Sequence, residues 1–146
     1  KISADIEVIS SNQYAGATTE SAVKAAENLL QSFPAVEGIF CPNESSTFGM
    51  LRALQGAGKA GKVRFVGFDC SEKLLDALRN DEIQGLVLQN PVAMGRLAVK
   101  ACVDHLSGKQ VEKRIDTGAS VATKKNLSDP MIAGLIKPDL SILTDK

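Results

Sequence analysis

The amino-acid sequence predicts an α/β fold in which an open, doubly wound parallel sheet carries helices on both faces. First, short apolar segments alternate with helical patterns along most of the chain, and this alternation is typical of βαβ crossovers and a parallel sheet. Second, 146 residues with 44% hydrophobic side chains suffice for one buried core but not for two full domains. Third, 17 basic and 17 acidic residues balance each other and are scattered, so no nucleic-acid partner is expected.

The first strand and the first helix are predicted near the amino terminus. Residues 6–10 alternate between apolar and polar side chains and precede a polar turn, which is the pattern of a half-buried strand. Residues 18–33 then place apolar side chains at helical spacing, with Thr18 or Thr19 as the cap and Pro34 beyond the end. We therefore predict a strand followed by an amphipathic helix.

Two further strand–helix units follow. Residues 37–41 are a short apolar run, and residues 45–55 return to helical spacing until a glycine-rich stretch stops it. Residues 63–68 form the next predicted strand, and residues 71–79 form a helix that begins at a serine suited to capping. The alternation of strand and helix is thus maintained through the middle of the chain.

The last unit contains the longest predicted helix. Residues 85–88 are apolar, and Asn90 and Pro91 favour the start of a helix that continues to Ser107. Apolar residues cover more than one face of this helix, so we expect it to be buried against more than its own sheet. A final extended segment is predicted at residues 114–123.

Hydrogen-bonding side chains follow each of the first four predicted strands. In open α/β sheets, ligands bind beyond the carboxyl ends of the strands. The residues at these positions are residues 10–13, Tyr14, Asn43, Glu44, Asp69, Gln89 and Asn90. Amides and carboxylates beside an aromatic ring suit a neutral, polyhydroxylated ligand. The same residue types also begin turns and cap helices, so a structural role is the alternative for each of them.

Other motifs in the chain do not predict an active site. Residues 56–61 match a glycine-rich nucleotide-binding pattern, but a helix precedes them and a strand follows, which reverses the order that phosphate binding requires. The three cysteines lack the paired spacing of a zinc site, and His105, the only histidine, belongs to the longest helix rather than to the elements that carry Cys41 and Cys70 beside the strand ends. We therefore expect no enzymatic activity, no cofactor and no metal.

Seven segments carry a resemblance to a known family. They are residues 33–44 (FPAVEGIFCPNE), 49–54 (GMLRAL), 66–69 (VGFD), 89–91 (QNP), 94–98 (MGRLA), 115–118 (IDTG) and 123–126 (TKKN). Together they resemble the second half of the ribose-type periplasmic sugar-binding proteins, which have the type I, LacI-like fold. The agreement extends over nearly the whole chain in the right order.

The resemblance implies a solute-binding component of a bacterial ABC-type transporter, which closes on a ribose-like monosaccharide about a hinge and then docks on the permease. Asn43, Asp69 and Gln89 match the sugar-hydroxyl ligands of this lobe of the family. Tyr14 falls near an aromatic residue that contacts the sugar ring in some members. Cys70 replaces the glycine that usually follows the aspartate of the family, so the resemblance leaves the identity of the sugar open.

The resemblance also implies a domain organisation. Residues 1–146 match the carboxyl-terminal lobe of a two-lobed periplasmic protein, and we expect the amino-terminal lobe to be absent from this chain. In the family, the helix that matches residues 91–107 packs on that other lobe, which would account for its additional apolar face. We therefore expect the chain alone to self-associate or to swap this helix between copies, because a large uncovered apolar patch seldom remains on a monomer.

Three other functions share parts of this pattern. The effector-binding core of a LacI-type transcription regulator has the same two-lobed fold, and a helix-turn-helix segment before Lys1 would distinguish it. A receiver domain would use Asp69 as a phosphoacceptor, but it also needs an acidic pair after the first strand, where residues 10–13 have none. A nucleotide-dependent enzyme is disfavoured by the position of the glycines.

Overall fold

The computed structural model describes residues 5–141 of the chain. Within that range, strands and helices alternate. The elements are α1 (Thr19–Ser32), β1 (Gly38–Phe40), α2 (Glu44–Gly56), β2 (Arg64–Phe68), α3 (Glu72–Arg79), β3 (Gly85–Leu88), α4 (Pro91–Leu106), β4 (Ser120–Ala122) and α5 (Pro130–Ile136). The predicted α/β class, with an open sheet flanked by helices, is therefore confirmed.

The four strands form one sheet in the order β1-β2-β3-β4. β1, β2 and β3 are parallel, and the register pairs Phe40 with Val66 and Phe68 with Val87. The carboxyl ends of these three strands therefore lie at one edge of the sheet, which we call the carboxyl edge. The described strands follow one another along the sheet without the reversal of order that defines double winding, so double winding stays a prediction.

The last strand differs from its predicted direction. β4 is antiparallel to β3, with Ser120 opposite Leu88 and Ala122 opposite Leu86, so the prediction of a fully parallel sheet is wrong for this strand. A parallel strand would require a crossover that returns the chain to the opposite edge of the sheet. None of the residues of α4, all of which are described, is buried, so this helix does not pack back on the sheet as a crossover helix would.

The predicted strand at residues 6–10 is also wrong. These residues lie within the described range and have no regular secondary structure, and the side chains of Ile6, Val8 and Ile9 are exposed. A strand is stabilised by backbone hydrogen bonds to a neighbouring strand. The alternation of apolar and polar residues is a local signal, and it cannot supply that neighbour.

The hydrophobic core lies where α1, α2 and α3 meet the sheet. Thr18 is the N-cap of α1, and its side chain accepts a hydrogen bond from the backbone N–H of Ser21, so the predicted cap is confirmed. α1 and α2 approach each other closely at Gly49, where an added Cβ would lie 2.5 Å from the Cβ of Ala22. Fully buried core side chains include Leu54, Phe65, Leu74, Leu78 and Leu86. This core fixes the three parallel strands and hence the carboxyl edge.

Candidate functional site

The carboxyl edge brings together two of the residues predicted as ligands. Asp69 directly follows β2 and Gln89 directly follows β3. The Asp69 carboxylate accepts a hydrogen bond from Gln89 Nε2 at 2.9 Å, and the backbone N–H of Asp69 donates to the carbonyl of Val87 at 2.8 Å. Because an ionised carboxylate accepts several hydrogen bonds, this pair retains the capacity to bind hydroxyl groups of a ligand.

Asp69 has an unusual backbone conformation. Its φ angle is 61°, in the left-handed region that most residues other than glycine avoid. Aspartate tolerates this region better than larger or β-branched residues do. Such conformations cost free energy and persist where the surrounding structure holds them, often at functional sites. The turn at Asp69 thus places the carboxylate where an extended continuation of β2 would not.

Asn43 lies at the same edge, at the amino terminus of α2. Its Oδ1 accepts hydrogen bonds from the backbone N–H of Ser46 at 2.9 Å, from the Ser46 hydroxyl at 2.7 Å and from the Ser45 hydroxyl at 3.2 Å. Asn43 is therefore the cap of α2, as the structural alternative predicted. Capping engages its carbonyl oxygen and leaves the Nδ2 amide as the group with which Asn43 can bind a ligand.

The Thr47 side chain connects the turn after β1 to the last residue of β2. The sequence did not predict Thr47 as a residue of the site. Its hydroxyl donates to the carbonyl of Asn43 at 2.7 Å and accepts the backbone N–H of Phe68 at 2.9 Å. The side chain is fully buried. The available signal was a threonine on the apolar face of α2 together with Gly67 inside a strand, but their contact depends on the tertiary structure.

A surface depression of about 550 Å³ lies beside the Asp69–Gln89 pair. It has a polar side at this pair and an apolar side built partly from the end of α5 and the residues that follow. The lining residues are Asp69, Cys70, Leu88, Gln89, Pro91, Met94, Leu135, Ile136 and Pro138. A volume of this size is sufficient for a small organic ligand, so the depression offers both hydrogen-bonding and apolar surface.

The thiols near this edge are protonated at neutral pH. Burial raises the pKa of Cys41 to about 11, although a hydrogen bond with Ser46 acts in the opposite direction. Burial also raises the pKa of Cys70, and the negative charges of Asp69, Glu44 and Glu72 raise it further. Because the thiolate is the nucleophilic form, neither cysteine is activated for covalent chemistry.

Tyr14 and Asn90 are two other predicted positions: the first is exposed, and the second caps a helix. The side chain of Tyr14 is 91% exposed, and it lies on a segment without regular secondary structure, so its contact with a ligand stays a prediction. Asn90 accepts a hydrogen bond from the backbone N–H of Ala93 at 2.9 Å and caps α4. Its structural role therefore accounts for its position after β3.

Other candidate features do not form a site. Residues 56–61 end α2 and precede β2, so the helix-before-strand order that excludes a nucleotide loop is confirmed. In the part of the chain that the structure describes, no group of three or more His, Cys, Asp or Glu side chains could hold a metal ion. Within residues 5–141, no helix combines the length and the apolar character needed to cross a bilayer.

The chain thus has an α/β fold in which the polar side chains of Asp69 and Gln89 meet at the carboxyl edge of parallel strands. Residues 1–110 match the family model for the periplasmic binding protein domain. The chain therefore belongs to the periplasmic binding protein family, and the resemblance to its ribose-type members is confirmed.

Relatives and solved structures agree with this assignment. The chain is similar to the ribose import binding protein of Bacillus subtilis (strain 168), with 33% identity over 99 residues that cover 68% of this chain and 32% of that protein. It is also similar to an ABC transporter solute-binding protein from Agrobacterium vitis with bound D-fucose, with a TM-score of 0.79, 32% identity, and coverage of 87% of this chain and 44% of that one.

A third comparison is with a carbohydrate transporter solute-binding protein from Agrobacterium radiobacter in complex with D-arabinose. The TM-score is 0.77 and the identity 34%, over 85% of this chain and 42% of that one. The chain spans about a third of the length of the curated relatives it matches. These relatives are binding proteins of transport systems rather than enzymes.

Proposed function

We propose that this chain is the carboxyl-terminal lobe of a two-lobed, extracytoplasmic sugar-binding protein that serves an ABC-type importer. The observation that carries the proposal is the hydrogen-bonded pair of Asp69 and Gln89 at the carboxyl edge. The relatives that bind ribose, D-fucose or D-arabinose support a monosaccharide as the ligand. Among monosaccharides, we propose one that resembles ribose.

The proposed roles follow from the donor and acceptor groups at the edge. Asp69 accepts hydrogen bonds from two sugar hydroxyls, and Gln89 holds the carboxylate in place while its own amide oxygen remains an acceptor. Asn43 donates through Nδ2, because its Oδ1 caps α2. Tyr14 packs on a C–H face of the sugar ring when the binding cleft closes. The binding step is a hinge closure without bond breaking.

Helix α4 supports the proposal of a second lobe. None of its residues, which all belong to the described part, is buried, yet Val99, Val103 and Leu106 are large apolar side chains on its surface. We propose that an amino-terminal lobe covers this helix in the complete protein. The two lobes then close on the sugar, and the closed form docks on the permease.

The effector-binding core of a transcription regulator is the second candidate. It would use the same fold and a similar carboxyl edge, so the described geometry alone is compatible with it. The relatives reported above belong to import and transporter systems, which supports transport over regulation. The transport function is therefore the better supported of the two.

Calorimetry on the full-length protein tests this proposal. D-ribose, D-allose, D-fucose and D-arabinose are titrated into the wild type and into Asp69→Ala. We expect at least one sugar to bind the wild type, and we expect Asp69→Ala to weaken its affinity by about 100-fold, because sugar hydroxyls lose a charged acceptor. Asp76→Ala is the matched control, since Asp76 is an exposed aspartate that pairs with Arg79 on α3.

The outcomes distinguish the proposed function from the role of Asp69 in the site. Wild-type protein that binds none of the four sugars would contradict the proposed function. An Asp69→Ala variant that binds as tightly as the wild type would remove Asp69 from the site. A loss of affinity in Asp76→Ala equal to that in Asp69→Ala would indicate a general effect of charge.

A further inference from the structure

Thr47 is a buried polar side chain that contacts two of the chain segments carrying the candidate ligands, those of Asn43 and Asp69. It lies one helical turn after Asn43, and it donates its hydroxyl hydrogen to the Asn43 carbonyl at 2.7 Å. The same hydroxyl oxygen accepts the N–H of Phe68, the residue directly before Asp69, at 2.9 Å. One hydroxyl group therefore connects the turn after β1 to the turn after β2.

The hydrogen bond from the Phe68 N–H to Thr47 takes the place of a backbone hydrogen bond that a longer β1 would accept. The backbone N–H of Cys41 still bonds to the carbonyl of Val66 at 3.1 Å, but β1 ends at Phe40 and the chain then turns into α2. In a longer ladder, the next N–H along β2 would bond to the neighbouring strand. Thr47 supplies the acceptor instead, so the last peptide of β2 stays fixed up to Asp69.

The opposite side of the same turn is held by β3. The N–H of Asp69 donates to the carbonyl of Val87, and the carboxylate accepts from Gln89. The turn at Asp69 thus has Thr47 on one side and β3 on the other. Because the φ angle of Asp69 is in the left-handed region, this conformation depends on such restraints.

Gly67 provides the space that Thr47 occupies. A Cβ at position 67 would lie 2.1 Å from Cγ2 and 2.9 Å from Oγ1 of Thr47, which is closer than two non-bonded atoms can approach. The glycine and the threonine are therefore matched: the missing side chain on β2 lets the hydroxyl reach the backbone beside it.

We propose that Thr47 is a positioning residue for the sugar site, which sets Asn43 and Asp69 relative to each other through its hydroxyl group. This inference rests on the proposed function. Thr47 itself does not touch the sugar, since it is fully buried. Its effect on affinity comes from the geometry of the two residues that it connects.

Two substitutions separate the hydroxyl from the shape of the side chain. Thr47→Val keeps the volume and removes the hydrogen bonds, whereas Thr47→Ser keeps the hydroxyl and removes a methyl group. Thr123→Val is the matched control, because the Thr123 hydroxyl is also hydrogen-bonded, in its case to a side chain, Asn126 Oδ1, at 3.1 Å. Thr123 follows β4 next to the start of β3, at the edge of the sheet opposite the site.

Sugar affinity and melting temperature are measured for all three variants in the full-length protein. We expect Thr47→Val to weaken binding about tenfold, Thr47→Ser to bind within about threefold of the wild type, and Thr123→Val to lower the melting temperature without weakening binding. A purely structural Thr47 would lower the melting temperature and leave the affinity of the folded protein unchanged, and that result would overturn the proposal.

Amide hydrogen exchange without ligand separates this inference from the proposed function. We expect Thr47→Val to accelerate exchange at the amides of Phe68 and Asp69 by about tenfold or more, while the amide of Val121 in β4 is unchanged. If the wild type binds no sugar, the proposed function fails, and accelerated exchange still supports the positioning of Asp69 by Thr47. Unchanged exchange at Asp69 would overturn the positioning role, whatever the sugar result.

Discussion

The carboxyl edge and helix α4 are adjacent along the chain but differ in how the described residues hold them. At the edge, Gln89 bonds to the Asp69 carboxylate, and the buried Thr47 bonds to the ends of two strands. On α4, none of the described residues is buried, and Leu106 is 85% exposed. The polar groups at the carboxyl edge are thus hydrogen-bonded to other described residues, whereas α4 presents an apolar surface that residues 5–141 do not cover.

This difference bears on how the complete protein would bind its ligand. A lobe whose polar groups are already fixed by its own hydrogen bonds loses little freedom when a sugar binds, and such preorganisation favours affinity. Helix α4, by contrast, has apolar side chains that the described residues leave exposed. We therefore expect the described lobe to supply the geometry of half the site, and α4 to supply the connection to the rest.

The largest expected contrast is between one leucine in the core and one on α4. Leu54→Ala removes a fully buried side chain and is expected to lower the free energy of unfolding by about 2–5 kcal/mol. Leu106→Ala removes an exposed one and is expected to change it by less than about 0.5 kcal/mol. Urea unfolding of this chain measures both. A similar loss in the two variants would show that α4 is buried in solution.

The cysteines give a second contrast between the core and α4. Cys41 is buried with a pKa of about 11, so its thiolate fraction at pH 8 is about 100-fold below that of a thiol with the ordinary value. Cys102 is exposed on α4. We expect iodoacetamide to label Cys102 at least about 100-fold faster, as measured by peptide mass spectrometry. Equal labelling rates would contradict the burial of Cys41.

The same pKa shift predicts a pH dependence of stability. Between pH 9 and pH 11 the thiol of Cys41 ionises in the unfolded chain but stays protonated in the folded one. Below pH 9 the thiol is protonated in both states, so its ionisation does not lower the free energy of unfolding. As the pH rises from 9 to about 11, ionisation in the unfolded chain alone lowers the free energy of unfolding. Cys41→Ala should remove this part of the decline, with Cys102→Ala as the control.

Two glycines form the third comparison. Gly67→Ala at the edge would bring a Cβ within 2.1 Å of Thr47 Cγ2, and we expect a loss of about 1–3 kcal/mol from overpacking. An added Cβ at Gly95 on α4 has no heavy atom within 4 Å among the described residues, so Gly95→Ala is expected to gain about 0.5–1 kcal/mol from helix propensity. Thermal unfolding measures both, and effects of the same sign would contradict this account.

Local sequence signals predicted the parts of the fold that are locally determined. The Thr18 cap fixes where α1 begins, and the Asn90 cap with Pro91 at the first helical position fixes where α4 begins, because these signals involve residues only a few positions apart. The sequence also predicted Asn43, Asp69 and Gln89 as strand-end residues, and the order of the parallel strands places Asp69 beside Gln89. Their hydrogen bond is the physical result of that order.

The remaining features depend on contacts that are distant in sequence. Residues 6–10 have the pattern of a strand but no strand forms, because a strand also requires pairing with another strand, which the alternation of side chains does not encode. The direction of β4 depends on whether α4 packs back on the sheet, and no local pattern encodes that. Thr47 acts through Phe68, 21 positions away, so only the folded structure shows its role.

The last expected effect concerns association through α4. We expect the 146-residue chain to self-associate with increasing concentration, since Val99, Val103 and Leu106 remain exposed on one helix. Val103→Glu is expected to weaken this association about tenfold, or about 1.4 kcal/mol, because a charge would be buried in the contact. Sedimentation velocity over a range of concentrations measures the effect.

Val8→Glu is the matched control for this last prediction, because Val8 is 55% exposed and Val103 is 56% exposed. Val8 lies outside the helices and strands, so the same charge placed there should leave association unchanged. Equal weakening in the two variants would mean that net charge rather than the α4 face controls association. A wild-type chain that stays monomeric at every concentration would contradict association through α4. The difference in exposed apolar surface between α4 and the carboxyl edge would then have no consequence for assembly.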